Sequence, residues 1–554
     1  MISIIADNIL SPLGETTEAN VQAVREGRTA LREHRLPGVP ESFVASLFEP
    51  SIGFEEGLIR SIRGALASAK EKGVEIDMTS KEVIVIISST KGNVADFECI
   101  GASAQHVASH FGNPNRPIVV SNACISGLSA QILAMRLLRT KAYRYAVVAG
   151  MDVQGKFIVS GFQSFKALSP EPCRPFDGDR CGLNLGEAAA CMILTCEEGA
   201  ASDGWYIMEG AMRNDANHIS NPSRVGEGCY RAIQQLGHPT DTWSCISAHG
   251  TATLFNDEME ACAIDRAGLS QVPTYSLKGY YGHTMGAAGI LETIIALHAA
   301  QEGWIPATKG FAESGTTHEI HVTREEESCP KGDVLKLLSG FGGCNAAVGY
   351  RLLSENTEVS WPQEPKVSGI ADLAMRYTLR LTPADMPDGM TAFYKEHVGN
   401  YPKFYKMDPL CKLGFLATEL LLTEEKEAEG ELTPEAETTL QDTRAVVLFS
   451  KHGSMADDRA YEETIRDAEA YFPSPAVFVY TLSNIVTGEI AIRHQYKSET
   501  ACYILEEKDW AKMKEIIVTT FQDSGVKTVL GGWVDYNNDH DFDADLTLFE
   551  LITT

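Results

Sequence analysis

The segment VVSNACISGLS, residues 119–129, places Cys124 where a thiol could act as a nucleophile. RPIVV (116–120) is predicted to form a strand, and the apolar spacing over 125–140 predicts a helix. A strand, a turn of small residues and a helix expose one side chain at the helix N-terminus, as in a nucleophile elbow. The positive end of the helix dipole would lower the thiol pKa there and favour the thiolate. The alternative is a small apolar residue in a packed turn, because cysteine is often buried.

Two histidine loops and a glycine-rich turn come after Cys124 along the chain. His249 lies in SAHGTAT, Lys278 and His283 lie in SLKGYYGHTMG, and Phe341 lies in SGFGGCN. Singly, each histidine is more often a hydrogen-bonded structural residue, and glycine turns are common. Together they form an ordered set, in which a cysteine elbow precedes HGTxT, KxxxxH and GFGGxN. This order indicates an active site.

Short apolar runs alternate with helical stretches in the part of the chain that carries these motifs. VIVIIS (83–88), YAVVAG (145–150) and AACMILT (189–195) are typical of buried parallel strands between helices, so the predicted fold class is α/β. Prolines and polar residues interrupt the pattern near residue 360. We therefore predict a first domain over 1–354, a linker over 355–365 and a second domain over 366–554.

The second region resembles a degenerate repeat of the first. Residues 83–100 and 445–465 both place a buried strand before a small polar turn and a helix that carries Ala-Asp (Ala95-Asp96 and Ala456-Asp457). Upstream, 58–69 and 409–421 share a helical spacing of apolar residues. Two such pairs in the same order predict a structural repeat. The acidic segment 424–437 is predicted to be a solvated loop.

Composition excludes several functional classes. The net charge of -28 argues against nucleic-acid binding, because a phosphate backbone would be repelled. No apolar run approaches about 18 residues, and no leader sequence is recognisable, so we expect no membrane span. The thirteen cysteines are scattered without metal-ligand spacing, which favours reduced thiols and a cytoplasmic location. No metal or cofactor is predicted.

The ordered set closely resembles the β-ketoacyl-acyl carrier protein synthases of the thiolase-like superfamily, and the resemblance extends over residues 1 to about 353. It implies a layered αβαβα fold of two related halves. It also implies a nucleophile, Cys124, a histidine pair, His249 and His283, and two supporting charges, Lys278 and Glu292. The gating loop would be Gly340, Phe341 and Gly342. Histidine at position 283 resembles the elongating branch, whereas Asn122 stands where the family usually has threonine.

The chemistry implied by this resemblance is a decarboxylative Claisen condensation. Cys124 would accept an acyl group, and the backbone N–H groups of Cys124 and Phe341 would stabilise the oxyanion. Malonyl thioester would then lose carbon dioxide, with neutral His249 and His283 as donors to the enolate oxygen. Lys278 would keep the site electropositive, or would simply pair with Glu292.

The second region resembles only the N-terminal part of a ketosynthase. Cys502 superficially repeats a Thr-Ala-Cys motif, but residues 503–505 resemble a continuing strand. We expect a non-catalytic partner, similar to the short ketosynthase-like subunits of aryl polyene pathways and with a role like that of a chain-length factor. Two such folds would pair as a dimer or pseudo-dimer.

The implied partner is an acyl carrier protein that delivers acyl and malonyl thioesters. Because carrier proteins of this family are acidic, a basic patch is needed, and the candidates are Arg136, Arg139, Lys141 and Arg144. These residues could equally complement the C-terminal dipole of their helix. The rival functions are a non-catalytic protein that binds or measures acyl chains and a thiolase-type acyltransferase without decarboxylation.

Overall fold

A computed structural model describes residues 2–94, 98–197, 204–330, 332–352, 370–467 and 471–552. Within them, fifteen strands form one continuous sheet, and helices pack on both faces of its parts. The predicted linker 355–365 and the Ala95-Asp96 pair lie outside the described residues. The division into two domains at this linker therefore stays a prediction.

The strands are short and mostly buried. They are β1 (Ile2–Leu10), β2 (Arg32–His34), β3 (Phe43–Ser46), β4 (Val83–Ser88), β5 (Ile118–Val120), β6 (Tyr145–Asp152), β7 (Leu185–Gly186), β8 (Ala188–Thr195), β9 (Trp205–Asn214), β10 (Trp243–Ser247), β11 (Thr274–Tyr275), β12 (Trp304–Ile305), β13 (Glu327–Ser328), β14 (Asp333–Gly340), β15 (Cys344–Leu352), β16 (Leu373–Leu381), β17 (Arg444–Ser450), β18 (Thr500–Ile504), β19 (Thr528–Asn538) and β20 (Asp541–Leu551).

The helices connect these strands. They are α1 (Thr17–Arg25), α2 (Phe54–Glu71), α3 (Ile100–His110), α4 (Ser126–Arg139), α5 (Lys156–Ser164), α6 (Glu227–Gln235), α7 (Leu254–Arg266), α8 (Lys278–Tyr281), α9 (Ala288–Gln301), α10 (Met390–His397), α11 (Pro409–Glu429), α12 (Pro434–Thr443), α13 (Met455–Ile465), α14 (Pro475–Tyr480), α15 (Ile485–His494) and α16 (Trp510–Thr520). No helix among the described residues is both long and apolar enough to cross a bilayer.

One five-stranded pattern occurs three times in the sheet. Its order is β5-β4-β6-β8-β1 in the first copy, β11-β10-β14-β15-β9 in the second and β18-β17-β19-β20-β16 in the third. In every copy the first three strands are parallel, and the last two pair antiparallel. The first two copies are the two related halves predicted for residues 1–354. The third copy confirms the predicted repeat.

Two helices, α4 and α9, lie between the strands of the first two copies and are buried over almost their whole length. Gly127 and Gly289 lie where the helices touch, and a Cβ on Gly127 would come within 2.9 Å of the Gly289 Cα. Gln131 reinforces the contact by donating a hydrogen bond to the Gly289 carbonyl at 3.0 Å. Glycine at both positions therefore allows the two helices to approach closely.

The acidic segment 424–437 is not the predicted loop. Helix α11 continues to Glu429, and α12 begins at Pro434, so only a short connection separates two helices. Most of its side chains are exposed, in agreement with the predicted solvation. Glu425 forms an ion pair with the buried Arg444, because a helix places one face against the strand while the acidic face stays in water.

The third copy joins the first through the edge strands β5 and β18. They pair antiparallel, with Val120 beside Tyr503 and Val119 beside Ile504. Two buried arginines tie the third copy to the rest of the sheet, Arg136 from the first copy and Arg213 from the second. The guanidinium of Arg136 binds the Glu499 carboxylate at 2.9 and 2.8 Å, and Arg213 binds Asp523 at 2.7 and 3.0 Å.

Arg136 does not belong to the predicted carrier-docking patch. Its side chain is only 2% exposed, and the guanidinium binds the buried Glu499 carboxylate of the second region. A buried, paired cation cannot contact an external protein. Sequence reasoning placed it on the surface because the other basic residues of the cluster end the same helix.

We expect Arg136→Met to lower the free energy of unfolding by about 3–5 kcal/mol, because it leaves the Glu499 carboxylate buried without a partner. Arg144→Met is the matched control, since Arg144 pairs with Glu197 at the surface and such pairs contribute about 1 kcal/mol or less. Urea unfolding followed by circular dichroism measures both. Equal, small losses for the two variants would contradict the structural role of Arg136.

Candidate active site

Cys124 stands at a sharp turn after β5. Ala123 has a φ of 47°, and residues Ala123–Ile125 form a single 3₁₀ turn that leads into α4. The Ser126 hydroxyl accepts a hydrogen bond from the Asn122 N–H at 2.8 Å and donates one to the Ala123 carbonyl at 2.6 Å. These bonds hold an unusual backbone conformation for a residue with a Cβ. The geometry is that of the elbow predicted from the sequence.

The loop that carries His283 has the same design. Met285 has a φ of 49°, and Met285–Ala287 form a 3₁₀ turn before α9. One buried carboxylate, Asp152, accepts hydrogen bonds from the Gly286 N–H at 2.7 Å and from the Lys91 N–H at 3.0 Å. The loop after β4 and the His283 loop are therefore tied to a single residue at the end of β6.

Cys124, His249 and His283 converge. The sulfur and one nitrogen from each imidazole all lie within 4.8 Å of one another, and the ring centroids are 5.2 Å apart at 80°. The Met285 N–H donates to Nδ1 of His283 at 3.3 Å, which places the ring hydrogen on Nε2. That Nε2 is buried and has no hydrogen-bond partner among the described residues, so it can donate to a bound group.

The backbone of His249 is anchored by a buried carboxyl group. Glu260 on α7 accepts hydrogen bonds from the His249 N–H at 2.6 Å and from the Gly250 N–H at 2.8 Å. Burial raises the pKa of Glu260 to about 7, although the two backbone donors act in the opposite direction. Gly250 has a φ of 42° and touches Ser276 and Phe176, which leaves no room for a side chain. Together these contacts fix the backbone that carries the imidazole.

Two lysines and one glutamate form a buried group of charged side chains near the histidines. Glu292 forms ion pairs with Lys278 and with Lys336, the latter at 2.8 Å. All three side chains are buried, and Lys336 also donates to the carbonyls of Ser247 and Ala248 at 3.1 Å. Lys278 pairs with Glu292, and its positive charge lowers the pKa of both histidines. Its supporting role in catalysis stays a prediction.

Sequence reasoning missed Lys336. The available signal was a lysine inside the apolar strand segment DVLKLLSG, where an unpaired charge would be costly. Its partners come from β10 and α9, which are distant in sequence.

The two histidines rest in the neutral form. Burial, followed by the positive charge of Lys278, holds the pKa of both His249 and His283 well below the usual range. Neutral imidazoles can donate a hydrogen bond from one nitrogen and accept at the other. This agrees with the predicted role as donors to a developing oxyanion.

The thiol of Cys124 differs from the sequence-based expectation. Burial raises its pKa to about 12, and the positive charge of Lys278 offsets this only in part. Desolvation therefore outweighs the favourable charge of Lys278, and the resting thiol is neutral. The neutral imidazole nitrogens within 4.8 Å are basic groups that could receive its proton.

The glycine-rich turn lies directly against the elbow. A Cβ on Gly340 would be 3.2 Å from the Cys124 amide nitrogen, and one on Gly342 would be 2.6 Å from Nδ2 of Asn484. Asn484, from the third copy of the strand pattern, donates to the Phe341 carbonyl at 2.8 Å. The ring of Phe341 packs on Phe165, with centroids 5.6 Å apart. The turn is thus held between the elbow and the second region.

Asn122 also contacts the second region. Its Oδ1 accepts a hydrogen bond from the Cys502 N–H at 2.7 Å, and the Ser121 N–H donates to the Cys502 carbonyl at 3.1 Å. Cys502 is buried within β18, as the continuing strand predicted, and burial raises its pKa to about 12. Cys502 is therefore a structural residue of the strand. Asparagine at position 122 provides the side-chain oxygen that binds β18.

Cys124 lies at the inner end of a cavity of about 310 Å³. His249, His283 and Phe341 line it, and Leu254 and Phe255 form part of its rim with 57% and 72% exposure. The predicted docking residues Arg139, Lys141 and Arg144 do not line this cavity. Arg139 pairs with Glu209 and Arg144 with Glu197. Docking at these three residues stays a prediction.

A cysteine and two histidines are also ligands that zinc accepts. However, the positive charge of Lys278 reaches both histidines and would disfavour a second cation there. The same arrangement suits acyl transfer, in which a thiol needs a nearby base and the oxyanion needs donors. The expectation of no metal stays a prediction.

The family comparisons agree with this chemistry. Residues 67–200 match the beta-ketoacyl synthase N-terminal domain, and residues 204–312 match its C-terminal domain. Nodulation protein E of Rhizobium leguminosarum bv. trifolii is 30% identical over 45% of this chain and 65% of its own length. The 3-oxoacyl-[acyl-carrier-protein] synthase 2 of Rhizobium meliloti (strain 1021) is 32% identical over 42% and 60%. The chain thus spans less than two thirds of these relatives.

Solved structures share the fold. The ishigamide ketosynthase/chain length factor has a TM-score of 0.58 and 23% identity over 64% of this chain and 99% of that one. The PfaC keto synthase-chain length factor has a TM-score of 0.73 and 13% identity, and covers 99% of this chain and 78% of that one. The observed sheet therefore belongs to the thiolase-like fold of ketosynthases, as predicted.

The raised thiol pKa predicts how Cys124 reacts with iodoacetamide. Since only the thiolate reacts, the rate should keep rising with pH up to pH 10 without levelling off, because the group stays mostly protonated below its pKa of about 12. Peptide mass spectrometry of the Cys124 peptide between pH 7 and 10 measures the rate, and free glutathione is the reference thiol. A plateau below pH 8 would instead show a thiolate stabilised by the helix.

Proposed function

We propose that residues 1–354 of this thiolase-like ketosynthase catalyse the decarboxylative condensation of an acyl thioester with malonyl-acyl carrier protein. The condensation would serve fatty acid or polyketide elongation, including the synthesis of aryl polyenes. The observation that supports this most strongly is the convergence of the Cys124 sulfur with two neutral imidazoles within 4.8 Å. A cytoplasmic location is part of the proposal.

The first step is acyl transfer to Cys124. The sulfur attacks the thioester carbonyl, its proton passes to a neutral imidazole, and the carrier thiol leaves with a proton as the new thioester forms. The amide groups of Cys124 and Phe341 are the proposed oxyanion donors. Gly340 lets the turn before Phe341 lie close to the Cys124 amide, since a Cβ there would be 3.2 Å from the Cys124 nitrogen.

The second step is condensation. The malonyl carboxylate leaves as carbon dioxide, and the electron pair of the broken bond forms an enolate. Neutral His249 and His283 donate to the enolate oxygen, and the charge of Lys278 adds to its stabilisation. The enolate carbon then attacks the acyl group on Cys124, and the sulfur leaves and regains a proton. Decarboxylation makes a strong base unnecessary.

We propose that residues 366–554 act as a non-catalytic partner like a chain-length factor, which makes one chain a pseudo-dimer. Phe478 and Leu482 from this region lie beside Cys124 in a small inner cavity. The strand pairing of β5 with β18 keeps them there. Two solved structures of similar fold carry a chain length factor in their description. Substitution is a cleaner test than deletion, because deletion would expose β5 and leave Arg136 unpaired.

The alternative is a non-catalytic protein that binds or measures acyl chains. A buried thiol that never becomes acylated would favour it. The complete set of Cys124, His249 and His283 at the end of an open cavity favours the enzyme. The external partner would be an acyl carrier protein.

We expect Cys124→Ala to abolish the acyl adduct that forms with an acyl-loaded carrier protein. His283→Ala should retain the adduct but lower condensation with malonyl-carrier about 10²–10³-fold, because it removes one donor to the enolate. Intact-protein mass spectrometry detects the adduct, and chromatography with mass detection quantifies the product.

Cys502→Ala is the matched control and should keep both activities, because its thiol is buried in β18. An adduct that persists on Cys124→Ala would move the nucleophile to another thiol. The absence of any adduct on the wild-type protein would favour the binding-protein alternative.

A further inference from the structure

The cavity on the inner side of Phe341 is much smaller than the one that opens to solvent. Cys124, Phe162 and Phe341 line both, but the inner cavity has a volume of only about 10 Å³. That is close to the space needed for one water molecule. Apolar side chains form most of the rest of its wall, with Ile158 and Met285 from the first region and Phe478 and Leu482 from the second. Thr90 and Lys91 complete the lining.

Lys91, which lines the inner cavity, forms a buried ion pair with Asp458. Lys91, which comes soon after β4, is 4% exposed, and its ammonium group contacts the Asp458 carboxylate, the Thr481 carbonyl and the Ser454 hydroxyl. The three partners all belong to the second region. The ammonium group also lies 5.6 Å from the centroid of the Phe157 ring.

Lys91 also borders a separate polar space. A cavity of about 20 Å³ is lined by Lys91 and Asp458 together with Glu98, His452 and Ser483. The ion pair therefore separates an apolar pocket beside the nucleophile from polar surroundings.

We propose that Lys91, held in place by Asp458, is the floor of the acyl site and restricts the acyl group on Cys124 to chains shorter than octanoyl. The inference rests on the proposed function. A longer hydrocarbon would have to displace the ammonium group from its acceptors, which leaves a charge buried without partners. Rotation of Phe341 would join the two cavities but would not move Lys91, which is held from the other side.

Small thioesters test this on the full chain. Acetyl-, butyryl- and octanoyl-N-acetylcysteamine are incubated with the protein, and the rate of Cys124 acylation is measured by intact-protein mass spectrometry. For the wild-type protein we expect the octanoyl rate to be at most about one tenth of the acetyl rate, a discrimination that a pocket too short for the chain readily gives.

The double variant Lys91→Met/Asp458→Leu removes both charges and keeps the volume, so it should fold. We expect it to raise the octanoyl-to-acetyl ratio by about tenfold or more. Phe478→Ala widens the apolar wall but retains the ion pair, so it should raise the butyryl-to-acetyl ratio and leave octanoyl excluded. Arg444→Met/Glu425→Leu is the matched control, because it removes a buried ion pair that lines neither cavity.

Octanoyl transfer as fast as acetyl transfer on the wild-type protein would overturn the inference and leave the proposed function standing. An equal rise of the ratio in the Arg444/Glu425 variant would also overturn it, since general loosening would then explain the effect. If no thioester acylates Cys124, the proposed function fails, and the inference fails with it.

Discussion

Val120 of β5 and Tyr503 of β18 lie side by side in an antiparallel pair, and Cys124 comes only four residues after Val120. Strand β5 is the edge of the first five-stranded copy, so without β18 its backbone groups would face solvent. The pairing brings the Cys502 N–H to the side chain of Asn122 at 2.7 Å, two residues before Cys124. The position of the elbow thus depends on the second region, although Cys124, His249 and His283 all come from the first.

Charge compensation explains the electrostatics of the site. Lys278 and Lys336 share one carboxylate, Glu292, in a region from which water is excluded. The remaining positive charge and the burial both favour neutral histidines, which suits them as donors. Burial also raises the pKa of the Cys124 thiol to about 12, which keeps it protonated at neutral pH.

The three copies of the strand pattern differ in the loops at the ends of their strands. In the first two, the loops after β5, β10, β11 and β14 carry Cys124, His249, His283 and Phe341. In the third, β18 continues into LEEKDW before α16 begins, with no cysteine at the turn. The third copy instead contributes side chains that surround the site. Asn484 binds the glycine-rich turn at Phe341, and Phe478 lines the inner cavity.

The sequence alone predicted the features that depend on local pattern. The elbow around Cys124 is predicted by small residues between an apolar strand and a helix, and the repeat is predicted by matching strand and helix patterns. The two histidine loops and the glycine turn were recognisable because their residue types and order are specific.

Only the tertiary structure decided which charges are buried and which groups they face. Arg136 and Lys91 form ion pairs with residues of the second region. Their partners, Glu499 and Asp458, lie more than 300 residues further along the chain. Lys336 of β14 forms an ion pair with Glu292 of α9. The high thiol pKa likewise depends on the desolvation of Cys124 by distant segments. Local periodicity states which face of an element is apolar, whereas pKa values and partners depend on the groups that pack against that face.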